Sequence, residues 1–398
     1  MTTREPNPYR PGFNQAPVVF AGRGDILDGA TEALAVAAHD GRTPRPIVLL
    51  GPRGVGKTVT LGEIADLAAE RYAWPAVHVE AKSAGGLIHD LAARLAHAAR
   101  MLQGQAAEPR QRRTRVTGGL LEARAFGVGG ELHWESVPGP EAGPDLARSL
   151  GASLAGAMTA ATERGAGVVL TLDELQNARN DEIHVLAGVL QETVPLGWPL
   201  VTAIAALPSL RAGRGRHGLP TYLERAEWYD LDTLGRTDAL RALTGPARQA
   251  GRPLTRTAAD RLVRFVGGYP YALQVAGHYA WRASSGSASI TAEHVRRALP
   301  RIEVDLEHLF RGRWDDASPR EREYLAALAE VSRGRPGNAP APGGGDVARE
   351  LGLPTTKVSY LRDRLLKKGT IYRDQAAGLH FITPGMAEWV RSHTAATR

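Results

Sequence analysis

Residues 46 to 58 read Pro-Ile-Val-Leu-Leu-Gly-Pro-Arg-Gly-Val-Gly-Lys-Thr, an apolar strand running into a G-x-x-x-x-G-K-[ST] loop and on into a helix. A loop of this kind needs a buried strand behind it and a helix N-terminus ahead, so it commits the chain around it to a layered α/β core. Gly51, Gly54 and Gly56 let successive backbone N–H groups turn inward on an anion where side chains would obstruct them. Pro52, Arg53 and Val55 complete the loop. Lys57 is expected to reach the β- and γ-phosphates of a nucleoside triphosphate, and the Thr58 hydroxyl to hold Mg²⁺. The first helical turn, through Val59, aims its positive dipole end at the same anion.

A length of 398 residues suits two or three domains with a real core. No apolar run approaches the roughly 18 residues of a membrane span. The start Met1-Thr2-Thr3-Arg4-Glu5-Pro6 lacks the charged-then-apolar order of a signal peptide, so a cytoplasmic protein without a membrane partner is expected. The chain has 0 cysteines, which excludes disulfides, thiolate zinc sites and cysteine nucleophiles. The formal charge of +7 comes largely from arginine and admits a polyanionic partner, although arginine-rich coding bias accounts for it equally well.

Alternating patterns continue around the loop. A helix over 25–39 precedes the strand at 46–50. Helix 57–72, strand 76–80 and helix 85–103 follow, then helix 143–163, strand 167–172, helix 182–193 and strand 200–205, the order of a parallel sheet covered on both faces. Between them, about 110–140 combines Arg110, Arg112, Arg113 and Arg115 with extended stretches around Gly-Val-Gly-Gly, and reads as a hairpin insertion. From 236 to 312 the pattern is helical only, which suits a lid. Domains are therefore expected at 1–235, 236–312 and 313–398.

ATP hydrolysis needs a carboxylate for the metal and a base for the attacking water, both at the C-terminal end of a strand near the loop. Val168-Val169-Leu170-Thr171-Leu172-Asp173-Glu174 supplies that order, with Asp173 as the Mg²⁺ partner, Glu174 as the base, and Gln176 close enough to sense the γ-phosphate or a neighbour. Arg225, placed after the last expected strand, could complete a neighbouring subunit's site in a homo-oligomer or simply pair with Glu224 or Glu227. His78 and His184 read as ordinary strand and helix residues. Trp134, Trp198 and Trp228 read as packing residues.

Phe20-Ala21-Gly22-Arg23, the phosphate loop, the Asp173-Glu174 strand, Ala206-Leu207-Pro208 and Gly267-Gly268-Tyr269-Pro270 together resemble the archaeal-type ATPases of the AAA and STAND branches. These are relatives of archaeal replication initiators and include actinobacterial ATP-binding proteins with a similar Asn-Pro-Tyr-Arg-Pro-Gly-Phe opening. The resemblance implies a P-loop NTPase sheet of the AAA/ASCE kind with a helical lid, ATP and Mg²⁺ as cofactors, Gly22 and Arg23 bordering the nucleotide, and Gly268, Tyr269 and Pro270 packing near the adenine or ribose. The chain departs from that pattern at Ala206, where a polar sensor is expected, and has no arginine at a clear sensor position after Gly-Gly-Tyr-Pro. Both departures favour a slow, switch-like ATPase.

Near the C-terminus, helix 346–351, the turn Gly352-Leu353-Pro354, a helix to Lys368 and two short strands at 371–373 and 379–382 have the order of a winged helix-turn-helix. Val358, Leu361 and Leu365 would face its core, leaving Lys357, Ser359, Tyr360, Arg362, Arg364, Lys367 and Lys368 for a major groove and its phosphates. Residues 311 to 398 hold 15 Lys and Arg against 10 Asp and Glu, a net +5 that carries most of the excess charge. The expectation is a nucleotide-gated switch binding ATP or ADP and, through residues 355–382, duplex DNA. The competing expectation is a signalling or defence scaffold whose winged helix binds protein.

Overall fold

The computed structural model describes residues 6–12, 15–104, 144–212, 218–334, 340–373, 377–383 and 385–397. The hairpin expected at 110–140, with Trp134, lies outside them. The chain divides into two compact units, one of Gly24–Leu50 with Lys57–Asp230, the other of the residues up to Arg23, Gly51–Gly56 and Leu231 onward.

The first unit is built on strands β1 (Ile47–Leu50), β2 (Ala76–Glu80), β3 (Val168–Asp173), β4 (Leu200–Ala206) and β5 (Glu227–Asp230). They form one parallel sheet in the order β2-β3-β4-β1-β5. Parallel strands need long crossovers, and helices α1 (Gly24–His39), α2 (Lys57–Tyr72), α3 (Leu87–Gly104), α4 (Pro144–Thr162) and α5 (Asn180–Thr193) supply the helical layers. Every residue of β1, β3 and β4 is buried, which is why these three segments are continuous apolar runs. On α3, Leu87, Leu91 and Leu95 recur at helical spacing and join Leu150, Leu154 and Met158 of α4 in the core. Each such fully buried side chain contributes roughly 2 kcal/mol.

The expectation that the sheet ends with strand 200–205 is corrected by β5. Glu227-Trp228-Tyr229-Asp230 has no apolar run because it is an edge strand, paired among the described residues with β1 alone and half-buried along most of its length. Its pairing in register with Ile47–Leu50, rather than its own composition, makes it a strand.

In the second unit, helices α6 (Arg236–Gln249), α7 (Arg256–Val266), α8 (Pro270–Ala283) and α9 (Ala292–Asp315) follow one another. The Thr255 hydroxyl accepts from the Ala258 N–H to cap α7, and Pro270 opens α8 where a missing N–H costs nothing. An N-terminal segment is fastened to two of these helices. The Tyr9 hydroxyl donates to the Leu243 carbonyl at 2.5 Å, Asn7 Nδ2 to the His278 carbonyl at 3.1 Å, and the Arg10 N–H to Gln274 Oε1 at 3.0 Å. Helix α9 runs on to Asp315, past the end of the helical-only stretch read from sequence at 312. Phe310 and Trp314 at its end belong to the same apolar cluster as the residues that follow.

Those residues form α10 (Pro319–Val331), α11 (Gly344–Glu350), α12 (Thr355–Lys368), an antiparallel ribbon of β6 (Ile371–Arg373) and β7 (Leu379–Phe381), and α13 (Met386–Thr397). Their core includes Tyr324, Leu328, Val358, Leu361 and Leu365. Among the described residues no helix is long and apolar enough to cross a membrane.

Candidate functional site

Chain order places Lys57 and Thr58 in the first turn of α2 and Asp173 at the end of β3. The fold brings the last two together across 115 positions of sequence, and the Thr58 hydroxyl donates to Asp173 Oδ2 at 2.5 Å. Asp173 is 4% exposed, so its charge needs partners. Its other oxygen, Oδ1, accepts the Glu174 N–H at 2.7 Å. Lys57 is also buried, at 5% exposure.

A hydroxyl and a carboxylate are hard oxygen donors of the kind Mg²⁺ takes. Among the described residues no group of three or more His, Cys, Asp or Glu could enclose a metal. An ion at Thr58 and Asp173 would therefore draw the rest of its shell from phosphate oxygens and water, which is the ordinary habit of Mg²⁺. The donor set fits that ion. Glu80 stands in register with Asp173 across β2 and β3, and burial followed by the charges of Asp173 and Glu174 pushes its carboxyl upward.

Glu174 leaves β3 in the left-handed region, at φ 51° and ψ 34°. That conformation costs a non-glycine residue roughly 1 kcal/mol and turns the chain sharply into a one-turn 3₁₀ helix at Leu175–Asn177. The turn is held by its neighbours. Gln176 Nε2 donates to Glu174 Oε2 at 2.5 Å, and Gln176 Oε1 accepts the Leu207 N–H at 2.8 Å, just past the end of β4.

The loop Gly51–Gly56 has its own contacts within the second unit. Arg23 Nη2 donates to the Val55 carbonyl at 3.2 Å and to the Asp232 carbonyl at 2.6 Å, while Nη1 reaches the Gly22 carbonyl at 3.2 Å. Burial lowers the Arg23 guanidinium, and the Asp232 and Asp238 carboxylates work against that. The Tyr269 hydroxyl donates to the Arg53 carbonyl at 3.0 Å. Gly54, at φ +75°, lies so close under that ring that a Cβ would run into the hydroxyl. The side chain of Tyr269 thus supports the loop's main chain, a role its Gly-Gly-Tyr-Pro setting does not spell out. Pro270 is the first residue of α8.

Sequence spacing also missed Arg313, near the end of α9. Its Nη1 donates to the Gly369 carbonyl at 3.1 Å, while its buried Nε has no hydrogen-bond partner. Burial lowers this guanidinium, the Arg53 charge lowers it further, and Tyr269 opposes both. It lies 44 residues beyond Tyr269, where no sequence signal marks it.

Arg225 stands apart. It caps the one-turn helix Thr221–Glu224 ahead of β5, correcting its expected place after the last strand, and its side chain is exposed. Its carbonyl accepts from Arg45 Nε at 2.7 Å. His78 bonds Thr171 Oγ1 through Nδ1 at 3.0 Å, and His184 Nδ1 lies 2.8 Å from the Asn180 carbonyl. Trp198 and Trp228 lie half-buried against the first unit's core.

On α12, Val358, Leu361 and Leu365 are buried. The cations expected on the opposite face divide. Arg364 Nε and Lys368 Nζ each lie 2.9 Å from an oxygen of the fully buried Glu321, and Arg362 pairs with Asp363 at 2.8 Å. Lys357, Tyr360 and Lys367 remain exposed.

Residues 19–203 match the family model of the AAA ATPase domain, and residues 307–390 match that of a domain of unknown function, DUF8462. No curated protein matches the chain. Among solved structures it is similar to the Walker-type ATPase paby2304 of Pyrococcus abyssi, at 16% identity over 94% of this chain and 96% of that one, with a TM-score of 0.57. The RuvB Holliday junction branch migration motor of Thermotoga maritima is similar at 15% identity, 94% and 95% coverage and a TM-score of 0.47. Cdc6p from Pyrobaculum aerophilum is similar at 16% identity, 97% and 96% coverage and a TM-score of 0.46. The likeness to the Pyrococcus ATPase is one of fold, and the AAA ATPase domain match falls on residues 19–203, which hold strands β1 to β4 of the parallel sheet.

Proposed function

We propose that this chain is a slow, Mg²⁺-dependent ATPase whose nucleotide state gates duplex DNA binding by a C-terminal winged helix-turn-helix. The observation that carries the reading is the hydrogen bond from Thr58 to Asp173, which joins the end of the phosphate loop to the acidic end of β3. Backbone N–H groups of residues 51–59 would cradle the phosphates, Lys57 would meet the β- and γ-phosphates, and Gly22, Arg23, Tyr269 and Pro270 would border the nucleotide. Thr58 and Asp173 would hold Mg²⁺, which when bound offsets the charge of the phosphates. Glu174 would orient and deprotonate the attacking water. Slow turnover is favoured by Ala206, fully buried and apolar at the end of β4.

In this reading the domains are 1–235, 236–312 and 313–398. Helices α11 and α12 with the β6–β7 ribbon have the order of a winged helix-turn-helix, and Lys357, Ser359, Tyr360 and Lys367 are the side chains of α12 left for DNA. Assembly into a homo-oligomer would let Arg225 stabilise charge on a neighbour's γ-phosphate.

The test is binding of a random duplex, followed by fluorescence anisotropy across a salt series with ATP or ADP. A steep salt slope that differs between the two nucleotides is expected. No measurable affinity at low salt with ATP present would sink the DNA assignment.

A further inference from the structure

Position 206 lacks the polar side chain expected where β4 ends near the proposed chemistry, yet the main chain there is not without a polar neighbour. The Leu207 N–H, one residue on, is taken by Gln176 Oε1 at 2.8 Å. The other arm of the same carboxamide, Nε2, donates to Glu174 Oε2 at 2.5 Å. One side chain thus spans from the proposed base to the end of β4. The orientation of the amide is decided by its partners, because a flip would set oxygen against carboxylate and N–H₂ against N–H.

The turn that presents Glu174 is braced on its other side as well. Asn177 Nδ2 donates to the Ala81 carbonyl at 3.3 Å, and the Ala81 N–H donates to the Asp173 carbonyl at 2.9 Å. The Asn177 N–H returns to the Glu174 carbonyl at 2.8 Å. Glu174 is held in a left-handed conformation by contacts to the ends of both strands that flank β3. A side chain on a strained turn keeps its direction only if its own head group is also held, and Gln176 is the side chain that does this.

We infer that Gln176 is a positioning residue for ATP hydrolysis, fixing the Glu174 carboxylate and tying it to the end of β4 in place of the polar residue missing at 206. The inference rests on the reading of Glu174 as the base. It assigns Gln176 a role through Glu174, with no contact to the nucleotide, so it should act on turnover and leave ATP binding alone.

Three variants test it, with kcat from phosphate release and affinity from a fluorescent ATP analogue. Gln176→Met removes both arms. Gln176→Glu keeps the acceptor for the Leu207 N–H and removes the donor to Glu174. Both are expected to lose roughly 10- to 100-fold in kcat, the scale of a small misplacement of a reacting group, with affinity within about twofold of the parent. Introduced into Glu174→Gln, Gln176→Met should cost nothing further, since the two act as one unit. Full turnover in Gln176→Glu would overturn the inference by showing the donor to Glu174 idle, and would decide the matter even if Gln176→Met failed to fold. Further loss in the Glu174→Gln background would overturn it in favour of a general structural role. Normal turnover in Glu174→Gln alone would instead remove Glu174 as the base, and the inference would fall with that reading.

Discussion

Tyr269 lays its hydroxyl on the main-chain carbonyl of Arg53 at 3.0 Å, so the residue that opens the way into α8 also supports the glycine loop from below. The ring is 3% exposed, and burial pushes its hydroxyl up to about 12, so at neutral pH it remains a donor. A loop that must present N–H groups to phosphate gains from having a carbonyl pinned in the opposite direction.

Removing that pin alone should be mild. Tyr269→Phe keeps the ring and loses one hydrogen bond of about 1 kcal/mol, so ATP affinity should fall roughly fivefold by isothermal calorimetry. Gly54→Ala is the harsher change. It combines a positive φ with a Cβ driven into the Tyr269 hydroxyl, and nucleotide binding should be lost while the circular dichroism spectrum is retained.

Binding and turnover should separate at the two ends of the proposed site. Lys57→Ala is expected to abolish nucleotide binding or weaken it greatly. Glu174→Gln should bind ATP normally and all but stop turnover, leaving a residual rate roughly 100-fold or more below the parent. Equal losses of binding in both variants would contradict the division of roles.

Acid should loosen the C-terminal residues through Glu321. Its carboxylate is fully buried, which by itself would raise it, but hydrogen bonds from Lys368 and Ser318 outweigh burial and hold it down to about 2. A folded value below the ordinary 4.5 means stability present above about pH 4.5 and lost as pH falls toward 2, amounting to roughly 3 kcal/mol at most. Tryptophan fluorescence of Trp314 and Trp389 during urea unfolding at pH 6 and pH 3 should report this. Lys368→Met should destabilise by about 2 kcal/mol at pH 7 and flatten the pH dependence.

The N-terminal segment should come free when its seat is filled. Gly277 lies under the Tyr9 ring, and a Cβ there would overlap it. Gly277→Ala should therefore release the segment and speed chymotryptic cleavage after Tyr9, measured by mass spectrometry, with little change at sites elsewhere.

Much of the architecture was legible from residue order. Three sheet strands were plain because they are buried on both faces and so apolar throughout. Helices α7 and α12 announced themselves by Gly267 and Gly369 at their ends, both in the left-handed conformation that stops a helix. The fifth strand was not legible, because an edge strand carries no hydrophobic signature of its own. Nor was the use of Arg364 and Lys368, which look like surface cations until the buried Glu321 of another helix claims them.

The amino-acid sequence by itself determined the phosphate loop, the acidic strand end, the helical character of 236–312 and the order of the C-terminal elements, since each is written in local spacing and burial. Only the tertiary structure decided that Thr58 meets Asp173, that Glu174 turns left-handed under the hold of Gln176, and that Tyr269 supports the loop. The reason is physical. Periodicity records which face of an element is buried, whereas a hydrogen bond between side chains far apart in sequence depends on where two packed elements end, and no spacing along the chain carries that distance.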